Sequence, residues 1–187
     1  MEHLSDYVRV YEDTLDKNFC NQLIAYFEGC SQHHQHIDCN GAPTFTQLNL
    51  TEQLGPKHEY STILAQACQE YVKWYKEDLS IKFFPEKHSW EMFRIKKYKP
   101  DGCDRFDEHV DVGDSSSARR FLAFFIYLND VDVGGQTIFT GYNGDINIIK
   151  PKSGRMVIFP PLWMFPHSGQ RPISGNKYII SGYFHYL

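Results

Sequence analysis

Three side chains that could bind a metal ion stand at two places in the second half of the chain. His109 and Asp111 form a His-x-Asp pair, and His167 follows 56 residues after Asp111. Successive side chains of an extended strand point to opposite faces, so His109 and Asp111 would project to the same side and could share one ligand. Two imidazoles and one carboxylate on one face of an octahedron leave three positions open, which suits non-haem Fe(II). The pattern predicts an iron site that accepts an organic ligand and dioxygen.

Two neighbouring residues are alternatives within this set. Asp107 would share the strand face of His109, so it rivals Asp111 as the carboxylate ligand. His185, near the C-terminus, rivals His167. Each of these residue types is commoner in a core or a turn than at a metal, so the prediction depends on the combination and its spacing.

Lys177 lies ten residues after His167 and begins the last predicted strand, with Ile179, Ser181 and Tyr183 on the same side. A lysine that faces the interior of a barrel is costly unless a fixed anion neutralises it. The alternative is a surface lysine that continues the preceding Ser-Gly-Asn loop. The interior position predicts an anion-binding site close to the metal.

Composition limits the class of protein. The chain has 187 residues, 42% apolar residues and a formal net charge of −4, which fit one globular domain over residues 1–187 and argue against a general nucleic-acid binder. Five scattered cysteines without a C-x-x-C pair indicate free thiols in a reducing compartment. The chain has no apolar run long enough for a membrane span and no basic, apolar N-terminal signal. We expect a cytoplasmic protein that contacts neither membrane nor nucleic acid.

Residues 1 to about 85 are predicted to supply bracing elements. A first strand is expected over residues 7–15, and a helix over 17–29 with Asp16 as its N-cap. The polar residues 31–60 are predicted to be mostly loop, with a strand over 44–50, and the histidines within them should lie in solvated loop: His33, His34 and His36. Apolar residues at helical spacing predict a long amphipathic helix over 61–79.

Residues from about 86 to 187 read as a run of short strands separated by turn residues. The predicted strands are 90–99, 106–111, 120–128, 136–140, 145–150, 155–159, 165–169 and 177–186. Eight short strands without an intervening helix predict an α+β, mainly β fold: a double-stranded β-helix, or jelly roll, with N-terminal bracing helices. Both faces of the strand over 120–128 are apolar, so one should cover the long helix and the other should line the barrel. Tyr127 would then point into the barrel.

The motifs occur in the order of a known family. The segment from about Tyr98 to Leu187 resembles the Fe(II)- and 2-oxoglutarate-dependent dioxygenases, and most closely the prolyl 4-hydroxylase group. The matching features in order are Tyr98, His109-x-Asp111, Ile126-Tyr127-Leu128-Asn129, Gly134-Gly135-Gln136-Thr137-Ile138-Phe139, Lys150-Pro151-Lys152-Ser153-Gly154, His167 and Lys177. This resemblance implies Fe(II), 2-oxoglutarate as cosubstrate, dioxygen, and ascorbate to keep the iron reduced.

The resemblance also implies roles for individual residues. His109, Asp111 and His167 would be the catalytic metal ligands. Lys177, Tyr127, Tyr98 and Ser181 would bind the far carboxylate of 2-oxoglutarate or support it. Tyr183 and Trp163 would contact the substrate, although prolyl hydroxylases usually carry a Trp where this chain has Tyr183.

The implied reaction is hydroxylation of proline in a peptide or protein, with release of succinate and CO2. Loops 31–60 and 100–118 should decide the substrate. Three alternatives remain: the same chemistry on a non-proline or small-molecule substrate, a non-catalytic metal-binding jelly roll, or an alkylated-base demethylase. The demethylase would need a basic surface for nucleic acid, for which the candidates are Arg119, Arg120 and the run Arg94, Lys96, Lys97 and Lys99. The four residues of that run are otherwise expected mostly on the solvent face of a strand.

Overall fold

The computed structural model describes residues 3–39, 43–141 and 146–187. Its helices are α1 (Lys17–Gly29), α2 (Leu50–Leu54) and α3 (Glu59–Asp78), with short 3-10 helices at Leu4–Tyr7 and Ser31–His33. Its strands are β1 (Arg9–Tyr11), β2 (Gln35–Asp38), β3 (Thr44–Asn49), β4 (His88–Trp90), β5 (Arg94–Tyr98), β6 (Phe106–His109), β7 (Arg120–Tyr127), β8 (Thr137–Thr140), β9 (Ile146–Ile149), β10 (Met156–Phe159), β11 (His167–Gly169) and β12 (Lys177–Tyr186).

The strands form two antiparallel sheets. The major sheet has the order β1-β10-β7-β12-β5-β3-β2, with β4 paired to one end of β12. The minor sheet has the order β6-β11-β8-β9. This mainly β architecture, in which most neighbouring strands are distant in sequence, fits the predicted jelly roll.

The predicted helices are confirmed. The carboxylate of Asp16 accepts a hydrogen bond from the backbone N–H of Phe19 at 2.9 Å, so it caps α1 at the expected residue. The long helix begins two residues earlier than expected because Nδ1 of His58 accepts from the backbone N–H of Tyr60 and acts as its cap. Both helices pack on the major sheet through the larger apolar core.

Most of the predicted strands lie within two residues of their expected positions, and two differ more. The first strand is limited to β1 (Arg9–Tyr11), and the segment 90–99 divides into β4 and β5. Strand β6 ends at His109, two residues before its expected end. Asp111 therefore follows the strand and does not belong to it. The predicted strand 145–150 corresponds to β9, with residue 145 outside the described residues.

The expectation of a loop around the three histidines was wrong, although His33 and His36 are exposed as expected. His33 ends a 3-10 helix, and His36 lies in β2, which pairs with β3 as a hairpin. The ring of His34 stacks on Phe27 at a centroid distance of 4.0 Å, and its Nε2 bonds the Phe27 carbonyl at 2.8 Å. Packing against α1 therefore orders this segment.

Strand β7 separates two cores, as its two apolar faces predict. Leu122, Phe124 and Ile126 pack with the helices, whereas Ala123, Phe125 and Tyr127 face the space between the sheets. One residue departs from this alternation. Leu122 pairs with Phe184 and Arg120 with His185, so Phe121 is the additional residue of a β-bulge and packs on the helix side.

Among the described residues, no helix is both long enough and apolar enough to cross a membrane.

Candidate active site

A cavity lies between the two sheets, and the predicted metal ligands meet at its wall. Both sheets contribute lining residues, which include Lys96, Tyr98, Phe106, His109, Asp111, Phe125, Thr137, Phe159, His167, Lys177, Ser181 and Tyr183. The four strand positions of β12 predicted to share one face all line it: Lys177, Ile179, Ser181 and Tyr183.

Backbone pairing brings the two histidines together. His109 ends β6, His167 begins β11, and the two are direct partners in the register of these strands. The turn after β6 folds Asp111 back, so that its Oδ1 lies 3.6 Å from Nε2 of His109 and its Oδ2 3.6 Å from Nε2 of His167. One ligand atom from each of the three residues lies within 4.8 Å of the others. Among the described residues, this is the one group of histidine, cysteine or acidic side chains that lie close enough together to hold a metal ion.

Both imidazoles are oriented for metal binding by their other nitrogen. Nδ1 of His109 donates to the carbonyl of Asp107 at 2.8 Å, and Nδ1 of His167 donates to the carbonyl of Phe165 at 3.1 Å. A ring that donates through Nδ1 keeps the lone pair of Nε2 free for a metal. The Phe106 ring lies parallel to that of His109 at 3.5 Å and fixes its plane.

Asp111 is held by a second set of contacts. The Tyr183 hydroxyl donates to Oδ1 of Asp111 at 2.8 Å, and the Arg120 guanidinium donates to the Asp111 backbone carbonyl at 3.3 Å. That guanidinium also lies 4.0 Å from the centre of the Tyr183 ring. Burial alone would raise the pKa of Asp111, but hydrogen bonds and the two imidazoles lower it to about 2. The carboxylate is therefore charged, as a metal ligand must be.

The donor set fits a divalent ion. Ligand atoms about 2.1 Å from an ion and at right angles to each other lie roughly 3 Å apart, so the 3.6 Å gaps need only a small contraction. Burial lowers the pKa of His167, partly against the charge of Asp111, which keeps the ring neutral for binding. The rivals lie outside the group. Asp107 is exposed and pairs with Arg105 at 2.7 Å, and His185 does not join the cluster.

Lys177 is buried in the cavity wall without a carboxylate partner among the described residues. Its side chain is 2% exposed, and its Nζ donates to the carbonyls of Gly135 at 3.2 Å and Gln170 at 3.5 Å. The ammonium lies 4.3 Å from the centre of the Tyr98 ring. Burial, and then the charge of Lys96, lowers the pKa of Lys177 to about 7. A buried cation with only two neutral acceptors has room and need for an anion.

The other residues expected around the cosubstrate divide into two groups. Tyr98 and Ser181 line the cavity beside Lys177. Tyr127 is fully buried and does not line the cavity. Its hydroxyl is hydrogen-bonded to Oγ1 of Thr137 at 2.7 Å and to the Ile149 carbonyl at 3.3 Å. Thr137, and not Tyr127, lines the cavity. Trp163 is 65% exposed and is not among the cavity-lining residues.

One cavity residue was assigned wrongly from the sequence. Lys96 lines the cavity, whereas a solvent face was expected for it. Its neighbours in the basic run lie elsewhere: Arg94 contacts Glu91 at 3.8 Å, Lys97 pairs with Glu28 at 2.7 Å, and Lys99 is exposed. The alternation of β5 could have identified this position, because Lys96 stands two residues before Tyr98 and must share its face of the strand. Burial lowers the pKa of Lys96 to about 8, against the charge of Asp111.

Comparison with known proteins agrees with this geometry. Residues 93–185, close to half of the chain, match the 2OG-Fe(II) oxygenase superfamily. This segment belongs to that superfamily, and within it the chain is similar to prolyl 4-hydroxylases. Over 81 residues it is 31% identical to a PKHD-type hydroxylase of Prochlorococcus marinus (strain MIT 9215), a match that spans 42% of this chain and about a third (35%) of that protein.

Two solved structures share the fold over nearly the whole chain. A viral collagen prolyl hydroxylase from Paramecium Bursaria Chlorella virus-1, in complex with 2-oxoglutarate, is 19% identical with a TM-score of 0.73, over 97% of both chains. A prolyl hydroxylase from Trichoplax adhaerens, in complex with a hypoxia inducible factor peptide fragment, is 14% identical with a TM-score of 0.75, over 97% of this chain and 84% of the other. At these identities the likeness establishes the fold.

Proposed function

We propose that the protein is an Fe(II)- and 2-oxoglutarate-dependent dioxygenase that hydroxylates proline in a peptide or protein. The observation that carries the proposal is the meeting, in one cavity, of a two-histidine, one-carboxylate group with a buried lysine that has no carboxylate partner among the described residues. A metal ion and an organic dianion complement these two features, and the superfamily of residues 93–185 uses both.

In this proposal the triad holds the iron and Lys177 holds the cosubstrate. His109, Asp111 and His167 would each offer one ligand atom to Fe(II), a donor set that suits an ion with positions open for other ligands. With dioxygen, the iron and 2-oxoglutarate supply the oxidising chemistry: one oxygen atom enters succinate as CO2 is lost, and the other enters the substrate C–H bond as hydroxyl. The ammonium of Lys177 binds the far carboxylate.

The residues around Lys177 shape the cosubstrate site. The ring of Tyr98 covers one side of the Lys177 ammonium. The hydroxyl of Ser181, which also lines the cavity, donates a hydrogen bond to the far carboxylate of 2-oxoglutarate. Tyr127 acts indirectly: its hydroxyl bond to Thr137 orients a side chain that itself lines the cavity. The apolar walls formed by Phe125, Phe159 and Ile179 limit water around the reacting groups.

Support for a proline-containing substrate comes from the prolyl hydroxylase fold and from the peptide bound to one such relative. Tyr183 is the expected substrate contact in the cavity, and Trp163 offers an exposed aromatic surface outside it. Prolyl hydroxylases usually carry a Trp where this chain has Tyr183, whose hydroxyl donates a hydrogen bond to Asp111 and makes the wall beside the triad more polar. This difference supports a second candidate function. That candidate is the same chemistry on a non-proline or small-molecule substrate.

The test is succinate release by the Fe(II)-loaded protein with 2-oxoglutarate, dioxygen and ascorbate. We expect slow release alone, stimulation by proline-containing peptides over free proline, and loss of release in His167→Ala. Lys177→Ala should recover release only at much higher 2-oxoglutarate. Stimulation by free proline or another small molecule alone would favour the second candidate. No release in any form, with metal still bound, would favour a non-catalytic metal-binding module.

A further inference from the structure

Lys96 is a second cation in the cavity, and although the charge of Asp111 acts on it, its ammonium has no hydrogen bond or ion pair to any described residue. On either side of it in the major sheet stand uncharged partners, Gln47 of β3 and Ile179 of β12. Its Nζ lies 5.0 Å from the centre of the Phe45 ring and 6.0 Å from that of Phe106. Two aromatic faces therefore hold the cation in position while leaving its hydrogen-bond donors unused.

The charges of the cavity do not balance without another anion. Asp111 and the near carboxylate of 2-oxoglutarate would balance a divalent ion, and the far carboxylate would balance the positive charge of Lys177. The positive charge of Lys96 remains, since Asp111 is the one acidic side chain among the described residues that line the cavity. Nearby, Arg94 and Arg120 both contact the single carboxylate of Glu91, and the buried Asp104 lies close enough to Tyr98 for its charge to act there, so the surroundings add no further net charge.

We propose that Lys96 recognises a carboxylate on the substrate. This inference rests on the proposed function and specifies its substrate class: a proline-containing molecule with a negative group close to the reacting residue. Lys96 shares a face of β5 with Tyr98 but lies nearer the middle of the strand, beside Ile179, whereas Tyr98 is the residue paired with Lys177. The two lysines thus define two separate positions along the cavity wall, one for the cosubstrate and one for the substrate.

Equilibrium binding tests this without turnover. The probes are acetylated and amidated proline peptides that carry Glu, Gln or Lys beside the proline, and N-acetylproline with its amide, titrated into protein loaded with Mn(II) and 2-oxoglutarate without oxygen. The wild-type protein should bind the Glu peptide about tenfold more tightly than the Gln peptide, and N-acetylproline about tenfold more tightly than its amide. A difference of this size is typical of one charge-assisted hydrogen bond. Lys96→Gln should abolish that preference, and Lys96→Glu should reverse it in favour of the Lys peptide.

Lys99→Gln is the matched control, because it removes the same charge three residues away at an exposed position outside the cavity. It should keep the wild-type preference. The proposal is overturned if no carboxylate preference exists in either probe set, or if it survives in Lys96→Gln. It is also overturned if Lys96→Gln weakens 2-oxoglutarate binding as much as Lys177→Gln does, since Lys96 would then serve the cosubstrate. Failure of succinate release alone would overturn the proposed function and leave this binding preference measurable.

Discussion

The two faces of β12 carry opposite chemistry. Tyr178, Ile180 and Phe184 are buried against the helices in the larger core, whereas Lys177, Ser181 and Tyr183 line the cavity. Burial of apolar side chains on the first face stabilises the fold, whereas burial of charged and polar groups on the second face destabilises it. One strand therefore links the part of the molecule that folds it to the part that we propose does chemistry.

The same division is visible in pKa directions. On the cavity face, burial lowers the pKa of Lys177 to about 7 without a carboxylate to compensate it. On the helix face, Lys97 of the neighbouring strand β5 is paired with Glu28, and this pairing raises its pKa against the effect of burial. The fold satisfies its cations where it needs stability and leaves them unsatisfied where a ligand is expected.

The largest effect on stability is expected on the helix face. Phe184 is 1% exposed and its ring lies 5.7 Å from that of Phe124, so Phe184→Ala should leave a cavity and lower the free energy of unfolding by about 3–5 kcal/mol. Urea denaturation measures this. Metal affinity of the remaining folded protein should not change, and a selective loss of metal binding would contradict the division between the faces.

Much of this arrangement follows from local sequence pattern. The alternation of β12 and β7 identified which side chains share a face, and Asp16 marked the start of α1. Spacing and family order singled out His109, Asp111 and His167, which the structure brings together. These features depend on one or two strands, where side-chain direction follows directly from residue number.

Features that depend on pairing between distant segments could not be predicted in the same way. The turn that returns Asp111 to His109 lies beyond β6, and the partner of the Tyr127 hydroxyl, Thr137, comes from the other sheet. Strand alternation places Lys96 on the same face as Tyr98, but the pairing of β5 with β12, which sets Tyr98 opposite Lys177, determines that this face meets the cavity. Register is a tertiary property, set by which strands meet.

Lys177→Met sharpens the comparison because it should change function and stability in opposite directions. Removing the buried cation should raise the 2-oxoglutarate concentration needed for half-maximal succinate release by about 100-fold. The same change should raise the free energy of unfolding of the ligand-free protein by about 1–3 kcal/mol, because an uncompensated buried charge is lost. A less stable protein with unchanged cosubstrate demand would show that Lys177 is structural.

The pH dependence of cosubstrate binding follows from the same residue. The pKa of Lys177 is about 7 in the ligand-free protein, and a bound carboxylate would raise it. Above pH 7, binding must therefore take up a proton, so affinity should fall about tenfold per pH unit up to roughly pH 9. Calorimetry in buffers of different ionisation enthalpy measures the uptake, which Lys177→Met should abolish.

Stability of the ligand-free protein should show the opposite trend over this range. The folded pKa of Lys177, about 7, lies below the unfolded value of about 10.4. The unfolded chain binds more protons between these values, so the contribution of Lys177 to the free energy of unfolding becomes more favourable as pH rises. A Lys177→Met protein provides the reference from which other titrating groups are subtracted.

The smallest effect, and the finest test of the two faces, compares two tyrosine hydroxyls of β12. Tyr183→Phe removes the donor at 2.8 Å from Oδ1 of Asp111 and should weaken Mn(II) or Fe(II) binding about tenfold, as expected for a group that orients a metal ligand. Tyr178→Phe removes the bond to Glu28 at 2.7 Å and should lower the free energy of unfolding by about 1 kcal/mol without changing metal affinity. Equal effects of the two variants on metal affinity would show that the faces are coupled. Because the backbone of β12 is common to both residues, such a result would mean that packing against the helices sets the geometry of the triad.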